Sequence, residues 1–433
     1  MYFKDSGIEW IGHIPAHWRV EKLKRILECP LMYGTNEVAE LDDTEFPRYV
    51  RITDFDDNGL LRDDTFKSLS PDKADGYYLG EGDVLFARSG ATVGKSFLFK
   101  NYSGQACFAG YLIKAQTNRH SLLPEYLYYF TKSPSYDSWK NIIFTQTTIQ
   151  NISATKYAYL PITVPSLDDQ KHIIAYLDKT CAAIDTAIDK KQKQLETLDA
   201  LRKSIIHKAI TRGLNDAVEL KNSGAHYLGK LPSHWKVDRL KNIVNLRNSK
   251  IYVTSEEEDY LELEDIEQGT GKILSKRNTV EVESAVTLFK KGDILFGKLR
   301  PYLEKYYLAE FDGKCTGEIL AFEPLKIQGR FLLYCISSTW FIGQCNMLAY
   351  GAKMPRVNWP TQLAKINFPL PLKDEQVQIA DYLDDKCGEI GSLKKNIVDQ
   401  IFTLDQYRKS LIHECVTGKR RITEDDMKRV QQY

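Results

Sequence analysis

The stretch GATVGKS at 90–96 carries the Gly-Lys-Ser run of a loop that grips nucleotide phosphates. Such a loop needs four residues between its first Gly and the Gly-Lys pair, because backbone N–H groups must encircle the phosphates before a helix starts. Here only Ala91, Thr92 and Val93 separate Gly90 from Gly94, and the SFLFKNYSG run that follows reads as a strand ending in a turn. The spacing argues against a nucleotide site. Other chemistry is just as thin. The PDK run at 71–73 hints at a metal nuclease, but its acidic companions fall in a turn-rich stretch and not on paired strands, so it reads as an exposed turn. There is no Asn/Asp-Pro-Pro-Tyr/Phe motif of an amino-methyltransferase and no G-x-G-x-x-G loop. The eight cysteines form no C-x-x-C pair and have no histidine at ligand spacing, so they suggest neither a zinc site nor disulfides and read as small core residues. His17 and His234, each beside a tryptophan, read as packing and capping residues. No catalytic residue and no metal ligand is assigned.

What remains is polar side chains on turns, the usual means of reaching base edges. In the first half these are Arg51 and Thr53 after an apolar run, then Arg88, Ser89, Thr92 and Lys95. The polar run FTQTTIQN adds Gln146, Thr147, Gln150 and Asn151. In the second half they are Lys298, Arg300, Tyr302 and Lys305, followed by Lys353, Arg356 and Asn358 in YGAKMPRVNW. Arg, Asn and Gln can contact guanine or adenine bidentately, while Lys and Thr more often hold phosphate. These residues are the DNA-contact candidates. A net charge of +1 argues against a histone-like binder, yet it is a sum that hides patches: acidic EEED at 256–259 offsets basic KLKR at 22–25 and KRR at 419–421.

At 433 residues the chain is too long for one ordinary domain. The N-terminal MYFKDSGIEW lacks the character of a signal peptide, and no run approaches the ~20 apolar residues of a membrane span, so a cytoplasmic protein is expected. The organisation comes from an internal repeat. KDSGIEWIGHIPAHWRVEKLKRI at 4–26 matches KNSGAHYLGKLPSHWKVDRLKNI at 221–243, including Gly12/Gly229, Pro15/Pro232, His17/His234 and Trp18/Trp235. A second match aligns the run from Gln170 with that from Gln376 and continues to TLDALRKSIIH at 197–207 against TLDQYRKSLIH at 403–413. Between these flanks the copies diverge. GEGDVLFARSGATVGK at 80–95 still lies on KKGDILFGKLRPYLEK at 290–305, with Arg300 and Glu304 where the first copy has Gly90 and Gly94, so the scaffold repeats and the tips are expected to differ.

The repeat divides the chain into a domain at 1–165, a spacer helix at 166–212, a domain at 213–372, a second helix at 373–418 and a tail at 419–433. Apolar residues recur with 3,4 spacing at Leu177, Cys181, Ile184, Ile188, Leu195 and Leu198, and again at Leu383, Cys387, Ile390, Ile397, Ile401 and Leu404. Ser166 or Asp168 can cap the first helix and Asp374 the second. The cheapest way to bury each stripe is against the other in one coiled coil, and if the helices run antiparallel the two domains fall at opposite ends. Lys191, Arg202, Lys394 and Arg408 in or beside the seam are expected to weaken the pairing while favouring one register. The expected fold class is α+β: two mixed α/β recognition domains joined by two long antiparallel helices, with a pseudo-two-fold internal repeat. A helix of ~40 residues is a spacer of about 60 Å. Related domains at a fixed separation suit a duplex whose half-sites are spaced by helical turns, which predicts a split, asymmetric DNA target.

The doubled S-G-x(4)-G-x-x-P-x-H-W-x-V motif, Ser6 to Val20 and Ser223 to Val237, resembles that of the specificity subunit of type I restriction-modification systems. So does the lead into each helix through Pro161, Pro165 and Gln170, and through Pro369, Pro371 and Gln376. The resemblance spans essentially the whole chain. It implies two target recognition domains on double-stranded DNA, two methyltransferase subunits docked on the helices, and restriction/translocase subunits in the larger complex. It implies a non-catalytic subunit with no cofactor on this chain, S-adenosylmethionine, ATP and magnesium belonging to partners. The alternatives that the residues leave open are a coiled-coil adaptor that does not touch DNA and an enzyme with its own nuclease or methyltransferase activity.

Overall fold

A computed structural model describes residues 2–56, 59, 61–145, 150–248, 250–251, 259–278 and 286–431. It divides into two compact units: unit 1 takes in Met1–Lys191 and Asp399–Tyr433, and unit 2 takes in Gln192–Val398. Each unit therefore holds one domain and part of each long helix.

In unit 1 the strands β1 (Met32–Tyr33), β2 (Val84–Ala87), β3 (Ser96–Leu98) and β4 (Leu112–Ala115) form an antiparallel sheet in the order β1-β4-β2-β3. In unit 2 the strands β5 (Val244–Leu246), β6 (Ile294–Gly297), β7 (Tyr306–Leu308) and β8 (Ile319–Pro324) repeat that order as β5-β8-β6-β7. The central strands VLFA and ILFG are apolar throughout because both faces are covered. Val84 and Phe86 enter one core cluster of unit 1 while Leu85 and Ala87 enter another. Ile294 and Phe296 are likewise separated from Leu295 in unit 2. A second, partly parallel pairing also recurs: Arg48–Val50 lies beside Ala106–Phe108, and Asp259–Leu261 beside Gly313–Cys315.

The long helices are α1 (Leu167–Arg212) and α2 (Lys373–Val416). Ser166 caps α1, its Oγ accepting from the Asp169 N–H at 3.1 Å. Asp374 lies inside the first turn of α2 and not at its cap; there its charge suits the positive end of the helix dipole. In unit 1, Asp185 meets Arg408 and Lys191 meets Gln400, so numbers rise on one helix as they fall on the other and the pairing is antiparallel. In unit 2, Asp199 meets Lys394 across the same two helices. Of the four charged residues near the seam, Lys191, Lys394 and Arg408 find polar partners on the facing helix, which favours one register.

Burial along the apolar stripes depends on what else packs there. Leu177, Cys181, Ile184, Leu383 and Ile390 are buried, whereas Ile188, Leu195, Leu198, Cys387, Ile397, Ile401 and Leu404 are only half-buried. Two helices cover only part of each other; Leu177 and Cys181 also enter the core of unit 1 and Leu383 that of unit 2, whereas Ile184 and Ile390 are buried outside those cores. The segment expected as a tail includes the helix α3 (Glu424–Gln431), and Ile422 and Met427 pack on the core of unit 1. All eight cysteines are free and buried or half-buried. The PDK run forms a short helical turn, Pro71–Ala74, with Lys73 paired to Glu37 at 2.7 Å.

Candidate nucleic-acid interface

The GATVGKS stretch is the tip of the hairpin between β2 and β3. Ala87 and Lys95 close it with the Ala87 N–H to Lys95 carbonyl bond at 2.8 Å, and Gly90 and Gly94 take φ of 79° and 80°. The counterpart between β6 and β7 is closed by the Gly297 N–H on the Lys305 carbonyl at 2.9 Å, and Arg300 and Glu304 take φ of 50° and 49°. The loop backbones therefore share their left-handed positions although one loop has glycine there and the other does not. For non-glycine residues that conformation costs about 1–2 kcal/mol each, so the second loop keeps the shape against a local preference. The sequence comparison, which saw two rewritten tips, did not anticipate this.

Each loop is joined to the polar run named for its half. In unit 1, Ser89 and Asn151 form an antiparallel bridge and the Ile152 N–H donates to the Arg88 carbonyl at 2.9 Å. In unit 2, Leu299 bridges Arg356 and the Val357 N–H donates to the Lys298 carbonyl at 3.0 Å. The fold thus brings together residues some 60 positions apart in the same way twice.

The side chains on these matched frames differ. Arg88 lies over the Tyr33 ring at 4.7 Å and donates from Nη1 to the Gly110 carbonyl at 3.5 Å, while its Nε is buried without a hydrogen-bond partner. Tyr33 is itself fixed, its hydroxyl accepting from the Ala154 N–H at 2.8 Å. The Asn151 Oδ1 is likewise buried and unpartnered. Lys95 and Gln150 are exposed, and Ser89 and Thr92 are half-buried. Behind the loop, burial first and then the neighbouring Lys140, Lys95 and Arg408 push the Lys132 ammonium down to about 8. Gln146 and Thr147 lie outside the described residues.

In unit 2 more of the named groups have partners within the chain. Arg356 grips Glu318 bidentately at 3.1 and 3.3 Å, and Arg300 donates to the Lys353 carbonyl at 3.3 Å. Lys305 donates to the Ile266 carbonyl. Asn358 accepts from Thr361 N–H and Oγ1 at 3.2 and 2.9 Å, which makes its side chain the brace of a turn. Lys298 is half-buried, and Lys353 and Tyr302 are exposed. Arg51 has a similar fate in unit 1. Its guanidinium holds the buried Asp54 at 3.1 and 2.6 Å and donates to the Thr65 carbonyl at 2.7 Å, so it braces a short helical turn whose Thr53 is exposed. The matching turn of unit 2 has Glu262 in its place, and Arg277 holds the buried Asp265. The repeat sets Arg51 apart: its counterpart is acidic, but the buried aspartate is retained.

The repeated motifs do a different job, fastening each domain to the helices. Gln170 is fully buried; its Oε1 accepts from the Leu123 N–H at 2.8 Å and its Nε2 donates to the Ser121 and Pro165 carbonyls. Gln376 repeats this with the Gln328 N–H at 2.7 Å and the Pro371 carbonyl at 2.9 Å. Trp18 packs toward Gly418 and Trp235 toward Gly213, where a glycine Cβ would come within 3.1 and 3.3 Å of the ring. His17 faces Asp169 at 3.4 Å, and His234 faces Glu375 at 3.0 Å. Tyr129 donates to Asp178 at 2.5 Å, and Tyr334 to Asp384 at 2.7 Å. The two glutamines and two tyrosines were not singled out as anchors from sequence, although the repeated Gln was visible in both copies.

Two polar loop frames on repeated domains, each fastened to long helices, have a direct match among known proteins. The model of the type I restriction modification DNA specificity domain fits residues 15–197 and again 232–401. The chain belongs to that family. The specificity chain resembles the MjaVIII type I restriction enzyme specificity subunit of Methanocaldococcus jannaschii, 25% identical over 360 residues that cover 79% of this chain and 80% of that one. It also resembles the EcoDI specificity subunit of Escherichia coli, 22% identical over 354 residues, with 78% and 77% covered. Its fold is that of a chain solved in work on complex assembly and conformational transition of the type I R-M system, with a TM-score of 0.72 at 15% identity and 94% and 99% of the chains covered. The HsdS subunit of Thermoanaerobacter tengcongensis gives 0.52 at 16% identity, with 94% and 98% covered. DNA-sequence recognition in a type I restriction-modification system is therefore the role of the specificity chain, and neither the adaptor nor the enzyme alternative is favoured. Among the described residues no helix is long and apolar enough to cross a membrane.

Proposed function

We propose that the specificity chain reads a split, asymmetric duplex sequence, unit 1 taking one half-site through loop 88–95 with residues 150–152 and unit 2 taking the other through loop 298–305 with residues 353–358. The observation that carries this reading is the pair of identically bridged loop frames bearing different side chains. A shared frame supplies the same reach into a groove, and different side chains supply different bases. In unit 1, Arg88 and Asn151 are the base-reading pair: each keeps a polar atom without a partner inside the chain, and leaving such an atom buried and unpaired costs about 1–3 kcal/mol until a ligand satisfies it. Lys95 and Lys132 supply positive potential for the phosphates.

In the same reading the exposed apolar side chains of α2, Leu393 and Val398 in unit 2 and Phe402 and Tyr407 in unit 1, receive two methyltransferase subunits. Restriction/translocase subunits join through them. S-adenosylmethionine, ATP and magnesium act in those partners, which supply adenine methylation and ATP-dependent cleavage. The test is selection of bound duplexes from a randomised pool by the complex of this chain with its methyltransferase subunits. Recovery of two short fixed sequences separated by a gap of constant length is expected. Recovery of one continuous sequence, or of none, would overturn the reading.

A further inference from the structure

Both long helices carry the same pair of cations at matched positions, Arg202-Lys203 in α1 and Arg408-Lys409 in α2. In unit 1 they turn onto helix carboxylates: Arg408 donates to Asp185 and Asp405, both at 2.5 Å, and Lys409 pairs with Asp405 at 3.0 Å. Among the described residues, unit 2 offers no such arrangement. The residue matching Asp185 is Gly391, and Asp199, which matches Asp405, is held by Lys394 at 2.6 Å.

Arg202 touches Cys387 of α2 but, like Lys203, also reaches the recognition loop. Arg202 Nη1 donates to the Gly269 carbonyl at 3.4 Å, which also accepts from the Tyr306 hydroxyl at 2.7 Å. Lys203 Nζ stands 3.9 Å from Glu304 Oε1, and the Gly269 N–H donates to the Glu304 carbonyl at 3.0 Å. Glu304 is one of the two non-glycine residues held in the left-handed region in this loop. Such a residue persists only where its surroundings over-determine it. Gly94, at the matching place in unit 1, has no comparable need. The change from Gly94 to Glu304 and the change from Asp185 to Gly391 therefore belong to one arrangement: a loop that needs outside support, and two cations released to give it.

We propose that Arg202 and Lys203 are positioning residues for recognition by unit 2, holding loop 298–305 through Gly269 and Glu304, while Arg408 and Lys409 serve helix pairing in unit 1. The inference rests on the reading that these loops contact DNA. Restoring a carboxylate at 391 should draw Arg202 away from the loop, and a Cβ added at Gly391 meets no atom within 4 Å.

The experiment measures methylation rates by the complex of full-length chain and methyltransferase subunits on its cognate duplex and on duplexes altered in one half-site or the other. Lys298→Ala identifies the half-site that unit 2 reads. Arg202→Ala and Gly391→Asp are each expected to reduce discrimination at that half-site about tenfold, the equivalent of one lost charged hydrogen bond, with no change at the other. Arg408→Ala is expected to lower the melting temperature and leave discrimination at both half-sites as it was. Should Arg202→Ala fail to assemble, Gly391→Asp decides alone. Equal loss at both half-sites, or unchanged discrimination in an assembled complex, overturns the proposal. A wild-type complex without a split target overturns the DNA-reading assignment itself, and this inference with it.

Discussion

Units 1 and 2 share a frame but not its support. Loop 88–95 obtains its left-handed turns from Gly90 and Gly94, and Arg88 rests on the Tyr33 ring. Loop 298–305 forces Arg300 and Glu304 into the same turns, and Arg356 beside it is held by Glu318. Behind both loops the anchors scarcely change: Gln170 and Gln376, Trp18 and Trp235, and the Tyr129–Asp178 and Tyr334–Asp384 bonds occupy matched places. The contrast teaches that sequence stays fixed where a domain meets the helices and varies where it would meet DNA. A loop backbone can be kept by glycine, or by outside contacts that hold other residues in glycine's conformation.

If the anchors are equivalent, removing one should damage its own unit only. Trp235→Ala is expected to cost unit 2 about 3–5 kcal/mol, seen as faster amide exchange across β6 and β8 with β2 and β4 unaffected, and Trp18→Ala should give the mirror result. Exchange that accelerates equally in both units would break the comparison.

The loops should respond less and unequally. Arg88→Ala is expected to weaken binding of the specific duplex by ~1–3 kcal/mol if Arg88 touches a base, read by gel shift at fixed salt. Arg356→Ala should cost less, because Arg356 must first release Glu318 to reach DNA. Equal weakening on every sequence would move either residue to the phosphates.

Smaller effects concern shape and charge. Gly90→Ala should destabilise unit 1 by about 1 kcal/mol through its φ alone, since an added Cβ there meets no atom within 4 Å. Calorimetry that shows no change would mean that the first loop, like the second, is held from outside. Lys132 has Ser337 as its counterpart, so its charge belongs to unit 1 alone. Its folded pKa of about 8 lies below the ordinary 10.5, so the penalty for its charged form is full below pH 8 and disappears as pH rises toward 10.5. The melting-temperature difference between Lys132→Met and wild type should therefore shrink from pH 7 to pH 10, and a constant difference would contradict the assigned burial.

The repeat made the architecture legible, because two copies of one pattern mark two domains and two long helices without knowledge of any one strand, while the direction of helix pairing follows from cross-helix partners such as Asp185 with Arg408. The apolar stripes marked the seam but could not show that Leu177 and Leu383 would be buried where Ile188 and Leu195 are only half-buried, since that depends on which domain core covers them. The loop pairing was legible only as matched positions; that Ser89 meets Asn151 and Leu299 meets Arg356 follows from strand registers that divergence had obscured. That Arg51 holds Asp54 and that Asn358 braces Thr361 was not legible, because residue type does not reveal a partner. The common backbone of the two tips was hidden because left-handed turns are recognised in sequence through glycine, which Arg300 and Glu304 replace.

The central claim is that each unit reads its own half of one split site. Its most direct test is to map methylated adenines across a genome in cells that express the methyltransferase subunits with wild-type chain, Arg88→Ala or Lys298→Ala. The account predicts a two-part motif with a fixed gap for the wild type, relaxed in one part by the first substitution and in the other part by the second. A motif that relaxes in the same part with both substitutions, or in both parts with either one, would contradict it.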